Sequence, residues 1–456
     1  MRQLQVAVIG TGYVGLTNAV ALAYVGCKVT CVDVDQAKID NLNVGKLPIY
    51  EPYLDEMVKS ARSRLVFTTD YAIAVPEADV VFIAVGTPPG KEGAPDLKYL
   101  ESAARGVGAH LGDKFTVIVN KSTVPIGSAN WVEAIVRDAF VAKHGARAER
   151  RFAVASNPEF LREGSALYDT LYPDRTVVGA DDIRAVHTLA DLYRPITEQT
   201  FAPPTYLPRP EGLGPTPLIT TDLASAELIK YSANAFLSLK LSFINEIAEL
   251  AEKVGADVTQ VAKGIGSDDR IGNRFLGAGI GWGGSCFGKD TAALVSTGRE
   301  YGLNMPIVRA AKEVNDRQRE RVIEKLLGEL KIVKGKTIGI LGIAFKPLTD
   351  DLRDAPALDI AKKLLDRGAK VKMHDPIAMT RSRAEAGLPI EYCDVAAAVA
   401  EEADAIVLAT EWSEYQSLPW AEMAKSMRSA IMLDGRNVLP RLILEQAGFR
   451  YIGMGR

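Results

Sequence analysis

Apolar and polar positions along the chain follow two rhythms, unbroken runs that suit buried strands and three-to-four spacing that suits helices. "LQVAVIGTGYVGLTNAVALAYVGCKVTCVDVD" opens with the apolar run Val6 to Ile9, as in a strand covered on both faces. After a glycine turn, Leu16, Val20, Leu22 and Ala23 fall at helical spacing, and Gly26 ends the helix. "KVTCVDVD" reads as the next strand, and "ADVVFIAVGTP", "FTVIVNKSTVP" and "FAVASNPEF" predict further parallel strands. From Phe201 to Pro217 the chain is too rich in proline and glycine for a helix and reads as an inter-domain connection. The longest helical stretch follows, with Thr221 or Asp222 as N-cap and Gly255 as stop. At ~1.5 Å per residue it spans roughly 50 Å. Its apolar residues nearly encircle it, as expected of a helix buried between domains and between subunits.

The α/β rhythm then restarts. "KVKMHDP" parallels "KVTCVDVD", "ADAIVLATEW" parallels "ADVVFIAVGT", and Asp375 and Gly342 correspond to Asp33 and Gly10. The predicted fold class is α/β: two Rossmann-like doubly wound domains joined by a long central helix and a small helical domain. The expected division is 1–205 for a cofactor domain, 206–325 for a central helical domain and 326–456 for the second sheet.

Composition narrows the function. With 47% hydrophobic and 24% charged residues and a formal net charge of −3, the 456-residue chain has no field for nucleic acid or an anionic membrane. Its 4 cysteines are scattered, without a C-x-x-C pair, which favours a reducing compartment over disulfides or structural zinc. No run reaches the roughly 18 apolar residues of a membrane span. The start shows no secretory pattern. Cytoplasmic residence is the expectation, with no metal.

Gly10-Thr11-Gly12-Tyr13-Val14-Gly15 follows a predicted strand and opens a predicted helix, and Asp33 ends the second strand. In that context Gly10 permits the tight turn, Gly12 lets backbone approach a pyrophosphate, and Gly15 lets helix and strand pack closely. Asp33 suits a ribose 2′-hydroxyl and repels a 2′-phosphate, so NAD is the expected cofactor.

"GWGGSCFGKD", Gly281 to Asp290, places Cys286 among glycines beside Lys289. A phosphate-loop reading fails, because Asp290 stands where Ser or Thr would hold magnesium and no strand precedes the segment. A cationic neighbour raises the thiolate fraction. A thiolate could add to an aldehyde formed by hydride transfer and allow a second oxidation through a thioester. The residues alone leave a nucleophilic and a buried structural cysteine both standing.

The ordered set "GTGYVG", "KSTVP", "NPEFLREG", "ELIKYSANAFL", "DDRIGNRFLGAGIGWGGSCFGKD" and "FKPLTDDLRDAPA" resembles the UDP-glucose/GDP-mannose dehydrogenase family, most of all its branch acting on UDP-glucose. The resemblance covers essentially the whole chain. It implies four-electron oxidation of the sugar C6 alcohol to the uronate, with two NAD per sugar and a thiohemiacetal and thioester on Cys286. It further implies a homodimer or higher even oligomer through the long helix.

Carried residue by residue, the resemblance makes Lys230 and Asn234 flank the reacting carbon, with Lys230 assisting proton removal or stabilising the oxyanion. Asp290 and Thr123 position water, and Glu159 is a general acid/base. Tyr13, Val14, Lys38, Thr87, Thr123, Glu163, Lys289 and Arg353 join the glycines and Asp33 at the cofactor. Glu159, Phe160, Leu161, Arg162 and Glu163 contact the sugar nucleotide, as do Lys230, Asn234 and Lys346. Phe275, Leu276, Gly277, Ala278, Gly279 and Gly283 wrap it by backbone, and Arg270 reaches the neighbouring subunit's substrate. Taken singly, Lys230, Arg270, Lys346 and Arg353 also read as solvated charges, and Glu159 and Glu163 as first-turn helix carboxylates.

The alternatives are the same chemistry on GDP-mannose, a UDP-N-acetylhexosamine or TDP-glucose, a two-electron hydroxy-acid dehydrogenase, and a non-catalytic binder. Many relatives carry proline where this chain has Gly288, which predicts a looser cysteine loop.

Overall fold

The computed structural model describes residues 3–88, 90, 94–145 and 151–456. These form two compact units, Met1–Ser232 and Ala233–Arg456. In the first, β1 (Gln5–Ile9), β2 (Lys28–Val32), β3 (Leu65–Thr68), β4 (Val80–Ile83), β5 (Thr116–Asn120), β6 (Phe152–Ser156), β7 (Thr176–Ala180) and β8 (Leu218–Thr221) make one sheet. Its order is β3-β2-β1-β4-β5-β6-β7-β8. Among the described residues every pairing in it is parallel except β6 with β7. The strand order reverses between β1 and β4, the crevice where doubly wound sheets bind ligands.

Side-chain alternation on β1 shows why these strands are largely apolar. Val6 and Val8 join one core cluster with Leu16 and Val20, whereas Ala7 and Ile9 join another with Val107 and Val132. Each face is covered by helices, so most positions of the strand favour an apolar residue. Truncating one such side chain, as in Leu16→Ala, costs about 2–5 kcal/mol by loss of transfer energy and the cavity left behind.

The segment read as an inter-domain connection packs on the first unit instead. Phe201 is buried in its core, with Tyr206, Leu207 and Leu213 against it. Arg209 ties the turn by donating to the Phe201 carbonyl at 2.7 Å. The chain then returns as edge strand β8, so the first sheet extends past residue 205. Proline and glycine marked the absence of a helix correctly, but say nothing about what a loop packs against.

The central helix, Leu223–Val254, starts as predicted: Asp222 accepts from the Ser225 amide at 2.8 Å. It ends before Gly255, whose φ is +77°. In the second unit follow the helices Phe287–Glu300 and Pro306–Leu330. A wholly parallel sheet comes next, built from β9 (Thr337–Leu341), β10 (Lys370–His374), β11 (Glu391–Tyr392), β12 (Ala405–Leu408), β13 (Ile431–Asp434) and β14 (Arg450–Gly453). Its order, β11-β10-β9-β12-β13-β14, repeats the arrangement of the first six strands of the first unit. Among the described residues no helix is long and apolar enough to cross a membrane.

Candidate active site

At the reversal point of the first sheet the glycines divide their work. A Cβ on Gly10, at φ +100°, would lie 2.6 Å from the Ala84 carbonyl oxygen, and one on Gly15 would lie 2.0 Å from that of Gly10. Both glycines are required by close packing of the chain on itself. Gly12 has nothing within 4 Å, so a side chain there would fill open space. Gly12 is also the N-cap of the helix Tyr13–Tyr24 and offers no side-chain hydrogen bond to it. An uncapped helix start beneath an open glycine fits a pyrophosphate.

Asp33 is nearly buried and accepts from the Thr11 amide at 2.9 Å, the Thr11 hydroxyl at 2.7 Å and Lys38 Nζ at 2.9 Å. Burial pushes its carboxyl up, but those donors outweigh it and hold the group below the usual carboxylate range. Lys38 is therefore partner to Asp33.

Thr87 and Thr123, from the loops after β4 and β5, are brought together: the Thr87 hydroxyl donates to the Thr123 carbonyl at 2.9 Å. In "NPEFLREG", which is not helical, Glu159 Oε1 lies 2.8 Å from Lys230 Nζ, both groups buried. Burial alone would raise Glu159, yet the Lys230 ammonium and the Leu161 amide outweigh it and keep it ionised. The Phe160 ring carries the Arg175 guanidinium at 3.7 Å and Lys230 at 5.5 Å. Arg162 forms a two-point ion pair with Asp169, and Glu163 is half-buried. The helix-start alternative for Glu159 and Glu163 does not hold, since the next helix begins at Ala166.

In the second unit the glycine segment leads directly into a helix whose N-cap is Cys286. A sulfur at a helix start lies where the dipole favours negative charge. One turn on, Asp290 is fully buried, its Oδ2 accepting from Asn234 Nδ2 at 2.6 Å. Lys289 Nζ stands 2.9 Å from Oδ1 as an ion pair, but off the direction of a hydrogen bond, so that oxygen keeps acceptor capacity.

The glycines before Cys286 serve packing. A Cβ on Gly281 would meet Asn315 Oδ1 at 2.7 Å, and one on Gly283 the Asp354 carbonyl at 2.2 Å. Gly279 donates its amide to Asn245 at 2.8 Å, and Leu276 and Ala278 are buried. Phe275 has φ +62°, and Gly277 has open space around it. Arg270 is exposed and pairs with Asp268. Arg353 pairs with buried Asp351 at 2.7 Å, and Lys346 lies 5.6 Å from the Phe345 ring.

The sequence reading also passed over several buried charges, among them Glu51, Lys121 and Glu227. Glu51 accepts from Tyr13 Oη and from the amides of Gly164 and Ala166, joining the glycine turn to "NPEFLREG". Lys121 donates to Asn157 Oδ1 at 2.8 Å. Glu227 accepts from the Gly127 and Ala129 amides. Their only signal was position: Lys121 in "KSTVP", and Glu227 one turn before Lys230.

Residues 4–197 match the NAD binding domain of the UDP-glucose/GDP-mannose dehydrogenase family, 224–317 its central domain and 339–441 its UDP binding domain. The chain belongs to this family. It is accordingly an NAD-dependent oxidoreductase. Within the family it is similar to UDP-glucose 6-dehydrogenase TuaD of Bacillus subtilis, 43% identical over 454 residues, covering 99% of this chain and 93% of that one. A UDP-glucose 6-dehydrogenase of Rhizobium meliloti is 43% identical over 462 residues, covering 99% of this chain and 100% of the relative. A solved structure of a UDP-glucose dehydrogenase from the archaeon Pyrobaculum islandicum superposes with a TM-score of 0.88 at 38% identity, covering 100% of this chain and 98% of that one. The dehydrogenase's first sheet is thus the NAD binding domain, as the open Gly12 turn independently indicates.

Proposed function

We propose that the protein oxidises the C6 alcohol of UDP-glucose to the carboxylate, consuming two NAD per sugar, with Cys286 as a covalent nucleophile. The observation that carries this reading is Cys286 at a helix start with buried Asp290 one turn later, held by Asn234 and Lys289. A two-electron alcohol dehydrogenase needs no such thiol. The full-length relatives named for UDP-glucose support the choice of sugar nucleotide.

NAD, when bound, supplies the hydride acceptor; Gly12, the amides of the following helix and Asp33 would hold it. Lys230, ion-paired with Glu159, stabilises the C6 oxyanion. The Cys286 thiolate adds to the C6 aldehyde to give a thiohemiacetal. Loss of a hydride yields a thioester, and water directed by Asp290 and Thr123 cleaves it to carboxylate and thiol. Lys346, Arg353 and the 275–283 backbone complete the binding of the sugar nucleotide and cofactor.

A homodimer through the central helix is part of the same reading. Phe236, Phe243 and Leu250, seven residues apart, are 60%, 48% and 58% exposed, an apolar stripe that a second copy would cover. Cys27, Cys31, Cys286 and Cys393 form no disulfide, which suits the reducing cytoplasm, where we place it.

Counting NADH formed per limiting UDP-glucose tests the reading, with two equivalents expected. One equivalent would mean simple alcohol oxidation, and none, with turnover of GDP-mannose or a UDP-N-acetylhexosamine, would reassign the substrate. Cys286→Ala is expected to lose acid formation at least a thousandfold while still binding NAD; near-normal turnover would rule out the covalent route.

A further inference from the structure

Glu51 lies in the loop before the helix Leu54–Ala61 and is only 6% exposed. Its carboxylate collects four donors from two separate segments. Oε2 accepts from the Tyr13 hydroxyl and from the Gly164 amide at 2.7 Å. Oε1 accepts from the amides of Ala166 at 2.6 Å and Leu167 at 3.3 Å. The Gly164 amide is shared, since it also lies 2.7 Å from Tyr13 Oη. Burying a carboxylate costs free energy that an apolar side chain of the same size would not. What only an acceptor with two oxygens does here is to join Tyr13 to residues 164–167.

Both segments lead to the chemistry. Tyr13 opens the helix that starts at the open Gly12 turn, so its backbone stands where a pyrophosphate is expected. Residues 159–164 run from the buried Glu159–Lys230 ion pair to the Glu51 carboxylate. Neither end is loose. Glu159 Oε2 accepts from the Leu161 amide at 2.7 Å, and Gly164 has φ +80°, a turn that suits glycine. Arg162 closes the same turn: its amide and guanidinium donate to Asp169, and its carbonyl accepts from the Ser165 amide. Leu167 and Leu171 of the next helix share a core with Leu16 and Val20 of the helix that Tyr13 begins.

We propose that Glu51 is a positioning residue: through Tyr13 and Gly164 it sets residues 159–164, and with them the Glu159–Lys230 pair, at a fixed place relative to the cofactor turn. The proposal rests on the oxidation reading above. Hydride transfer needs the sugar carbon and its acceptor within about 3–3.5 Å, so the loop that touches the sugar has to be registered against the turn that holds the cofactor. A cofactor at the helix start fixes Tyr13, Tyr13 fixes the Glu51 carboxylate, and Glu51 fixes the Gly164 amide. Filling either site therefore orders the other, and the linkage is reciprocal.

Tyr13→Phe and Glu51→Gln test this, with melting temperature and NADH affinity as checks on folding. The first removes one hydroxyl and leaves three amides on Glu51; the second keeps the volume but turns an N–H group toward donors. NADH cannot accept a hydride, so binding is read without turnover. In calorimetry, saturating NADH is expected to tighten UDP-glucose binding to the wild type roughly tenfold, and less than about twofold in either variant. A merely structural role would change UDP-glucose affinity equally with and without NADH, leaving that ratio at its wild-type value. Independently of the sugar, amide hydrogen exchange across residues 159–167 should slow when NADH is added to the wild type, and not in Tyr13→Phe. A folded Tyr13→Phe with the wild-type ratio and the wild-type slowing would overturn the proposal, as would a wild type in which NADH changes neither. A wild type that binds no nucleotide sugar would overturn the oxidation reading instead. The exchange experiment then decides the proposal alone: slowing that Tyr13→Phe abolishes supports it, and no slowing overturns it.

Discussion

The two sheets carry the same turn after their first strand, and only one of them is built for a dinucleotide. Gly10 donates its amide to the Val32 carbonyl at 2.7 Å, and Gly342 to the His374 carbonyl at 2.8 Å. Both have φ near +100°. In each, the next amide donates to the aspartate ending the second strand, Thr11 to Asp33 and Ile343 to Asp375. The turns part at the third position. Gly12 is open, whereas Ala344 is fully buried and its amide is also taken by Asp375. Trp412 Nε1 donates to the same carboxylate oxygen at 3.2 Å. In the first sheet a helix begins at Tyr13, but in the second not until Pro356. The strand, glycine and aspartate are therefore a structural frame. The first sheet adds an open third residue and an immediate helix start, features that suit a phosphate.

That contrast can be broken at three glycines. The largest effect is expected at Gly342→Ala, where a Cβ would lie 2.3 Å from Thr410 Cβ in a left-handed backbone. It should cost about 3 kcal/mol in denaturant unfolding and leave NAD affinity alone. Next, Gly12→Val should weaken NAD binding by about tenfold to a hundredfold in calorimetry while the melting temperature stays within ~2 °C, because the added side chain takes ligand space and displaces no protein atom. Equal losses of stability in both variants would show that Gly12 is structural like its counterpart. The smallest effect is at Gly288, where a Cβ meets only Asp354 Oδ2 at 3.7 Å and Trp282 Cζ3 at 3.9 Å. Gly288→Ala should stabilise by about 0.5–1 kcal/mol by restricting the unfolded chain. Destabilisation there would mean that the helix start needs glycine freedom after all.

The frame was legible because buried parallel strands are largely apolar and glycine spacing in the first turn is tied to a ligand. The second sheet was readable by analogy, down to Gly342 and Asp375. Glu227 was invisible because a glutamate in "SAELIK" looks like a solvated helix charge, and only tertiary packing puts it under the Gly127 turn. Lys121 was hidden in the same way. The start of a helix at Cys286 was masked by glycines, which read as loop; they are present because Asn315 and Asp354 press against the backbone.

Thiol accessibility has a practical consequence. Cys27, Cys31 and Cys393 are buried, and burial pushes the first two up to about 11 and 12 and raises the third. Cys286 is partly exposed. Near neutral pH an electrophile added in equimolar amount should therefore mark residue 286 selectively. The folded protein then carries its own attachment point for a fluorescent or isotopic reporter, and the other three thiols gauge loss of fold by becoming alkylated only on unfolding.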